Sequence, residues 1–267
     1  MAVANARMYS INATVKSHWH RLLGAALARA RLDWDLIDHD APQPLSALWA
    51  RDDLGLAMMC GLPWSRHLPR PTLIAAPIPA PEAFAGRPVY WTDIVVRADA
   101  PYQCLADTFG GVAGYTLPDS LSGGVAFAVH VASRHPQGLR AYRGKVGQLI
   151  HARGVIQALC DGRIDVGPLD SYYHALLAHH EPALAAQVRV IDRTPHRPIP
   201  PLVATAAVDD ETLARLRAAL HAVAADPAHR DTMASLLLAG FANPAAADYE
   251  PLAALATAAA PEFTPES

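Results

Sequence analysis

This sequence of 267 residues has few cysteines, little charge and no long apolar run. Its three cysteines, Cys60, Cys104 and Cys160, lie far apart and form no C-x-x-C pair, which argues against a disulfide framework or a structural zinc site. Charged residues make up 18% and the net charge is −3, so no basic stripe is present and we expect no nucleic-acid partner. No apolar segment approaches the roughly 18–20 residues that cross a bilayer, so we expect no membrane insertion.

The amino terminus and the histidines lack two further patterns. Residues 1–7 run directly into a predicted strand, without the basic start and the roughly 7–15 apolar residues of a secretory leader. We therefore expect either a cytoplasmic protein or one whose leader was removed, and the localisation stays open. Thirteen histidines are present, but none forms an H-E-x-x-H motif or an i,i+4 pair. We expect no metal site and no cofactor.

Hydrophobic residues make up 52% of the chain, enough for a sizeable core, and their spacing predicts alternating strands and helices. The predicted strands are 6–9, 34–37, 54–59, 72–76, 89–97, 111–115, 164–166, 188–191 and 202–205, with an extended segment over 145–150. The predicted helices are 12–31, 45–51, 103–109, 121–134, 151–161, 171–180, 210–224, 229–238 and 251–260. The density of proline over residues 63–88 argues against a helix there.

Strand–helix alternation predicts an α/β fold with mostly parallel sheets flanked by helices. Two such sheets, with long strands near 89–97 and 188–193 between them, predict two lobes joined by two crossings. We assign residues 1–90 and 192–267 to lobe 1 and residues 91–191 to lobe 2. Ligands of open parallel sheets bind beyond the carboxyl ends of the strands, so the residues at those ends are the candidates for ligand contacts.

The most informative strand end is the segment 115–124, where a strand ends, Pro118 turns the chain and a helix opens. Small and hydroxyl residues at that opening, Ser120, Leu121, Ser122 and Gly123, together with unpaired N–H groups, are typical of an anion cradle. An ordinary helix cap uses the same residue types, so both interpretations stay open at this point.

Two other strand ends carry a histidine and a carboxylate. His151 opens a helix directly after the extended segment, where we expect a neutral hydrogen-bond donor. Asp170 follows the strand 164–166, with Pro168 at the turn, and it either contacts a ligand or caps the next helix. Three aromatic residues occupy equivalent positions and are either core residues or a ligand lining. They are Tyr9, Trp64 and Trp91.

Taken in order, these segments are similar to a known family. Residues 91–97, 105–107, 119–123, 151, 155–170 and 199–204 resemble the phosphonate/phosphite-type substrate-binding proteins of ABC transporters, which have the type 2 periplasmic-binding-protein fold. The resemblance extends from Tyr9 to about Leu252. It implies two lobes that close on a small ligand, with hinges near 89–95 and 188–194.

The resemblance also implies the site and the partners. It implies that the helix start at Ser120, Leu121, Ser122 and Gly123 cups the phosphonate oxygens, that Asp170 meets an amine of the ligand, and that Tyr9, Trp91 and His151 contact it. Trp64 is added from its position alone. The implied partners are a small phosphonate, phosphate ester or zwitterion and an ABC permease.

Two alternatives to a transport or sensing protein stay open. The first is a cytoplasmic biosynthetic enzyme on the same scaffold, similar to those of the alternative menaquinone route. The second is a hydrolase in which Ser120 or Ser122 is the nucleophile, His151 the base and Asp170 the orienting group. The segment lacks the strained G-x-S-x-G elbow, so the sequence favours binding over hydrolysis.

Overall fold

A computed structural model describes residues 2–41 and 43–263 of the chain. The strands are β1 Val3–Asn5, β2 Asp35–Leu36, β3 Leu54–Met58, β4 Thr72–Pro79, β5 Val89–Tyr90, β6 Thr92–Arg97, β7 Val112–Gly114, β8 Gly144–Val146, β9 Gly167–Asp170, β10 Val188–Arg193, β11 Arg197–Pro198, β12 Leu202–Ala204 and β13 Leu238–Ala242. The helices are α1 Ala13–Arg29, α2 Leu45–Trp49, α3 Gly61–Arg66, α4 Ala126–Arg134, α5 Ala152–Cys160, α6 Ser171–His180, α7 Pro182–Ala185, α8 Asp210–Ala225, α9 Arg230–Ser235, α10 Ala246–Tyr249 and α11 Leu252–Ala259.

The chain divides into two compact units, the first Met1–Val89 with Pro198–Glu250 and the second Tyr90–Arg197 with Pro251–Ser267. Residues 192–197 and the carboxyl-terminal helix α11 therefore lie in the second unit, whereas the sequence placed them in the first lobe. The reason is pairing and packing. Strand β10 pairs with β6 as far as Arg193, and α11 packs against α4.

The first unit is built on a six-stranded sheet in the order β13-β4-β12-β3-β1-β2. Strand β1 is parallel to β2 and β3, but β12 is antiparallel to β3 and β4, and β13 is antiparallel to β4. The sheet is therefore mixed rather than mostly parallel as predicted. The reason is that β12 and β13, which come late in the chain, pair antiparallel with strands from its beginning. The α/β class itself follows from the helices that cover it.

Helix α1 shows how apolar spacing creates the packing of the first unit. Its buried residues recur every three or four positions, as predicted: Val15, Trp19, Leu22, Leu23, Ala26 and Leu27. The side chain of Asn12 caps the helix by accepting a hydrogen bond of 2.9 Å from the N–H of Val15. The apolar face packs against α8 and α9.

Three predictions for the first unit were wrong. The first strand is β1, three residues before the predicted 6–9, so Tyr9 lies in the turn that follows it. Helix α3 forms inside the proline-rich run, because Pro63 sits in its first turn, where the missing N–H would have no helical acceptor. The predicted helix 229–238 ends at Ser235, and the next apolar residues form β13.

The second unit has a three-stranded antiparallel sheet, β10-β6-β9, and a parallel pair, β7 with β8. The predicted strand 164–166 is displaced to β9, so Pro168 lies inside a strand instead of at a turn. It is tolerated because β9 is an edge strand, where a missing N–H costs no ladder bond. Within the described ranges, no helix is long and apolar enough to cross a membrane.

Candidate functional site

The predicted helix 121–134 begins with a widened turn. Residues Leu121–Val125 form a π-helical turn that continues into α4, and the N–H of Val125 donates to the carbonyl of Ser120, five residues back, at 3.0 Å. The hydroxyl of Ser120 accepts from the N–H of Gly123 at 3.1 Å and so caps the helix. The wide turn leaves its first N–H groups without helical partners.

Glycine is required at this turn because the preceding loop lies against it. A Cβ on Gly123 would lie 1.9 Å from Thr116 Oγ1, and one on Gly124 would lie 2.4 Å from the carbonyl oxygen of Leu117. The N–H of Thr116 in turn donates to the carbonyl of Gly123 at 2.8 Å. The loop and the helix start are thus fixed to each other through the backbone.

The amide groups of Leu121 and Ser122 are the donors that this helix start offers to an anion. Among the described residues neither N–H has an acceptor, as expected for the first turn of a helix. The side chain of Leu121 is buried, so this residue presents its backbone. The hydroxyl of Thr92, which sequence reasoning missed, donates to the carbonyl of Ser122 at 2.8 Å and fixes the peptide plane against β6.

Asp170 lies beside this helix start, at the end of β9. Its Oδ1 accepts from the N–H groups of Tyr172 and Tyr173, both at 3.0 Å, and caps α6. Its Oδ2 lies 3.4 Å from the hydroxyl of Ser122, a long hydrogen bond. The structure therefore brings Ser122 and Asp170 together and sets a carboxylate beside the amide donors. Asp170 is a cap and a neighbour of the helix start at once.

Trp91 separates β5 from β6, and its backbone exchanges two 3.0 Å hydrogen bonds with Ser171, the residue after Asp170. Its ring is buried, and the ring of His196 lies 5.0 Å away at an interplanar angle of 31°. The guanidinium of Arg193 lies 5.7 Å from the indole centroid. Trp91 thus belongs to the neighbourhood of the helix start, although most of its ring is covered.

The indole of Trp91 is oriented by a buried carboxylate that sequence reasoning missed. Asp93 Oδ1 accepts from Trp91 Nε1 at 2.8 Å and from Arg193 Nε at 3.1 Å, and Oδ2 lies 2.8 Å from His174 Nδ1. The side chain of Asp93 is only 7% exposed. We call Trp91, Asp93, His174 and Arg193 the Asp93 cluster. Its one signal in the sequence is an acidic residue at the start of an apolar strand.

His151 lies at another helix start, where it is the cap of α5. Its Nδ1 accepts from the N–H of Gly154 at 3.2 Å, which places the proton of the neutral ring on Nε2, and the residue is exposed. The segment before it runs beside the loop of the first helix start, because the N–H of Leu149 donates to the carbonyl of Tyr115 at 3.3 Å. Nδ1 of His151 therefore serves as the cap of α5.

The remaining two predicted residues lie in the first unit, and both are buried. Tyr9 follows β1 and is 1% exposed, and Trp64 in α3 is 2% exposed. The indole N–H of Trp64 donates to the carbonyl of Pro71 at 2.9 Å, and its ring meets that of Tyr249 edge-on at 5.5 Å. In this structure the indole N–H of Trp64 is used in a hydrogen bond within the core. A ligand contact by Tyr9 or Trp64 stays a prediction.

The loss of folding stability at acidic pH should depend on Asp192, which lies in the strand that pairs with β6. Burial alone would raise the pKa of its carboxyl, but hydrogen bonds from His130 Nε2 at 2.8 Å and from the N–H of Arg193 outweigh it and hold that pKa below its ordinary value. A lowered carboxyl pKa stabilises the fold above the unfolded pKa of about 3.9. That stability is lost as the pH falls through the folded value.

We therefore expect Asp192→Asn to lower the free energy of unfolding at pH 7 and to flatten its fall between neutral pH and pH about 3. Urea titrations at several pH values measure both. The matched control is Asp248→Asn, an exposed aspartate on α10. If the free energy of unfolding fell equally at acidic pH in the Asp192 variant and in the unmodified protein, this carboxyl would not govern the acid response.

Comparisons with known proteins were made for the whole chain. A family model described as ABC transporter, phosphonate, periplasmic substrate-binding protein matches residues 48–249. A search of curated proteins found no match. Among the described residues no group of three or more His, Cys, Asp or Glu side chains could hold a metal ion.

Solved structures similar to this chain include a component of a phosphonate transporter and a complex with methylphosphonate. A binding protein component of an ABC phosphonate transporter from Pseudomonas aeruginosa is 19% identical with a TM-score of 0.78, covering 97% of this chain and 86% of its own. PhnD1 from Prochlorococcus marinus in complex with methylphosphonate is 12% identical with a TM-score of 0.77, covering 96% and 97%. A Xanthomonas citri protein bound to ATP is 19% identical with a TM-score of 0.67, covering 98% and 99%.

Proposed function

Because the chain belongs to the family of phosphonate substrate-binding proteins of ABC transporters, we propose that its ligand is a zwitterionic phosphonate, with the oxyanion on the helix start at residues 120–123 and the ammonium group beside Asp170. The observation that carries this proposal is the 3.4 Å contact between Ser122 Oγ and Asp170 Oδ2. It sets a carboxylate next to the amide donors of the helix start.

The oxyanion half of the proposal rests on the donors of the turn. The N–H groups of Leu121 and Ser122 point out of the first turn of a helix that continues through α4, and the hydroxyl of Ser122 lies beside them. Amide donors and the helix dipole both favour negative charge there. The glycines at positions 123 and 124 and the bond from Thr92 hold these donors in place before any ligand arrives.

The ammonium half follows from the charge of Asp170. A phosphonate without a cation would bring its negative charge to within several ångströms of this carboxylate. Two like unit charges about 4 Å apart repel by about 4 kcal/mol at an effective dielectric constant of about 20. An ammonium group on the ligand turns this repulsion into a charge-assisted hydrogen bond. Asp170 thus selects zwitterions over simple phosphonates and phosphate.

The test compares 2-aminoethylphosphonate with propylphosphonate, which has a methyl group in place of the ammonium group. By isothermal titration calorimetry we expect the amino compound to bind at least about tenfold more tightly. Asp170→Asn should erase this preference. Asparagine still accepts the cap bonds of Tyr172 and Tyr173, so α6 is preserved.

The matched control is Asp209→Asn, which alters another aspartate cap, that of α8, where Asp209 accepts from Thr212 at 2.7 Å. It should leave the ligand preference unchanged. Equal affinity of the unmodified protein for the two phosphonates would overturn the role of Asp170. Failure of both phosphonates, and of methylphosphonate, to bind would overturn the ligand class.

The proposal also covers the partner and the alternatives. A loaded binding protein of this family would deliver its ligand to an ABC permease, and we propose a permease as the protein partner. The enzyme alternative of the sequence analysis is not favoured by the family match or by the structural neighbours. His151 and Trp91 remain proposed ligand contacts, with Trp91 as an apolar wall.

A further inference from the structure

A cavity of about 120 Å³ is lined by residues of the second unit alone and includes none of the residues 120–123 of the helix start. One wall is formed by successive turns of α4 and another by the segment 194–197, and α11 contributes Leu255. Its lining residues are Ala126, Val129, His130, Ser133, Thr194, Pro195, Arg197 and Leu255. The cavity thus combines four apolar residues with four that carry hydrogen-bonding side chains.

Arg197 is the unusual member of this lining. Its Nε is buried and has no hydrogen-bond partner, and within the described residues its guanidinium takes part in no ion pair or hydrogen bond. A buried donor without an acceptor is costly, and buried polar groups in proteins are nearly always paired. The residue is partly exposed, so a ligand that enters the cavity can reach the guanidinium and supply the acceptor that Nε lacks.

The neighbouring acid does not supply that acceptor. Asp192 Oδ2 lies 2.8 Å from Nε2 of the buried His130, and Oδ1 accepts from the N–H of Arg193 at 2.8 Å. Both carboxylate oxygens are thus engaged away from Arg197. The hydroxyls of Ser133 and Thr194 add polar groups to the wall beside the imidazole of His130. Both hydroxyls are engaged within the protein, since that of Ser133 donates to the carbonyl of His130 at 2.7 Å and that of Thr194 accepts from the N–H of Thr92 at 2.9 Å. Among the described lining residues Arg197 is therefore the one with a fixed positive charge, and none has an acidic side chain.

We propose that this cavity binds a small monocarboxylate. The planar guanidinium of Arg197 matches the two oxygens of a carboxylate, and the apolar half, with Val129, Pro195 and Leu255, matches a short alkyl tail. A volume of 120 Å³ equals that of about four waters at about 30 Å³ each, which suits acetate or propionate. The proposal is independent of the phosphonate site, since it uses none of that site's donors.

Sodium propionate, acetate, phosphate and chloride are compared at equal ionic strength by thermal unfolding and by calorimetry. Propionate should raise the unfolding temperature and bind at least about tenfold more tightly than chloride. Arg197→Gln should weaken propionate binding at least about tenfold. Ala126→Leu, which fills the cavity but keeps Arg197, should also abolish it. Arg140→Gln, an exposed arginine of the same unit, is the control of equal charge change.

Each outcome decides the proposal. Propionate binding that survives in both Arg197→Gln and Ala126→Leu, or equal binding of propionate and chloride, would overturn it, as would no response to either carboxylate. Tighter binding of phosphate than of propionate would overturn the carboxylate assignment. Ser122→Ala should retain the propionate response while losing affinity for 2-aminoethylphosphonate, so failure of one site is distinguishable from failure of the other.

Discussion

Replacing Gly123 by alanine should lower the affinity for 2-aminoethylphosphonate by about a hundredfold, which corresponds to about 2.7 kcal/mol. The new Cβ would lie 1.9 Å from Thr116 Oγ1 and 2.9 Å from Thr116 Cβ, so the loop or the helix start must move. A shift of that size redirects the N–H groups of Leu121 and Ser122 away from the oxyanion. Calorimetry measures the affinity, and urea unfolding shows how much of the effect is lost stability.

Two further variants separate a local displacement from a general loss of fold. Gly24→Ala in α1 meets only Leu36 Cδ1 at 3.6 Å, so it should be tolerated and should stabilise the helix by up to about 1 kcal/mol. Thr116→Ala removes the atom nearest to the new Cβ, so the double variant should partly recover binding. Normal affinity in Gly123→Ala would mean that this turn does not position the ligand.

The sequence predicted elements whose apolar pattern is local. The spacing from Val15 to Leu27 predicted α1 with its buried face, and the unbroken apolar run near residues 54–59 predicted the fully buried β3. Strand β13 was missed because Leu236 to Phe241 reads as the end of an Ala/Leu-rich helix. Its strand state is decided by pairing with β4, residues far away in the chain, which local propensity does not register.

The site shows the same division. Four residues were predicted because ligands bind beyond the carboxyl ends of strands and because the residue types at those ends are visible in each short segment. They are Ser120, Ser122, Gly123 and Asp170. The Asp93 cluster was missed because its members are brought together only by the fold. His174 and Arg193 lie 81 and 100 residues from Asp93 along the chain. A single sequence indicates an acidic residue in an apolar strand but not its partners.

Replacing Asp93 by alanine should destabilise the protein by about 3 kcal/mol, the lower end of the range for breaking a buried ion pair. The change leaves the indole N–H of Trp91 and Nδ1 of His174 without their acceptor in a largely buried site. It also releases the guanidinium of Arg193, whose side chain is 59% exposed and returns to water at little cost. Urea unfolding measures the loss.

The expected pattern across related variants rests on which partner is left buried. Asp93→Asn keeps one acceptor oxygen, so it should retain part of the stability and the near-ultraviolet circular dichroism of Trp91. Asp99→Ala breaks the exposed pair with Arg97, where the Asp99 side chain is 73% exposed, and should cost at most about 1 kcal/mol. Suppose that Asp93→Ala destabilised the protein no more than Asp99→Ala. Water would then accept the hydrogen bonds of Trp91 and His174 as well as the carboxylate does. The carboxylate would then orient neither ring, and the position of Trp91 beside Ser171 would depend on the two bonds between the Trp91 backbone and Ser171 alone.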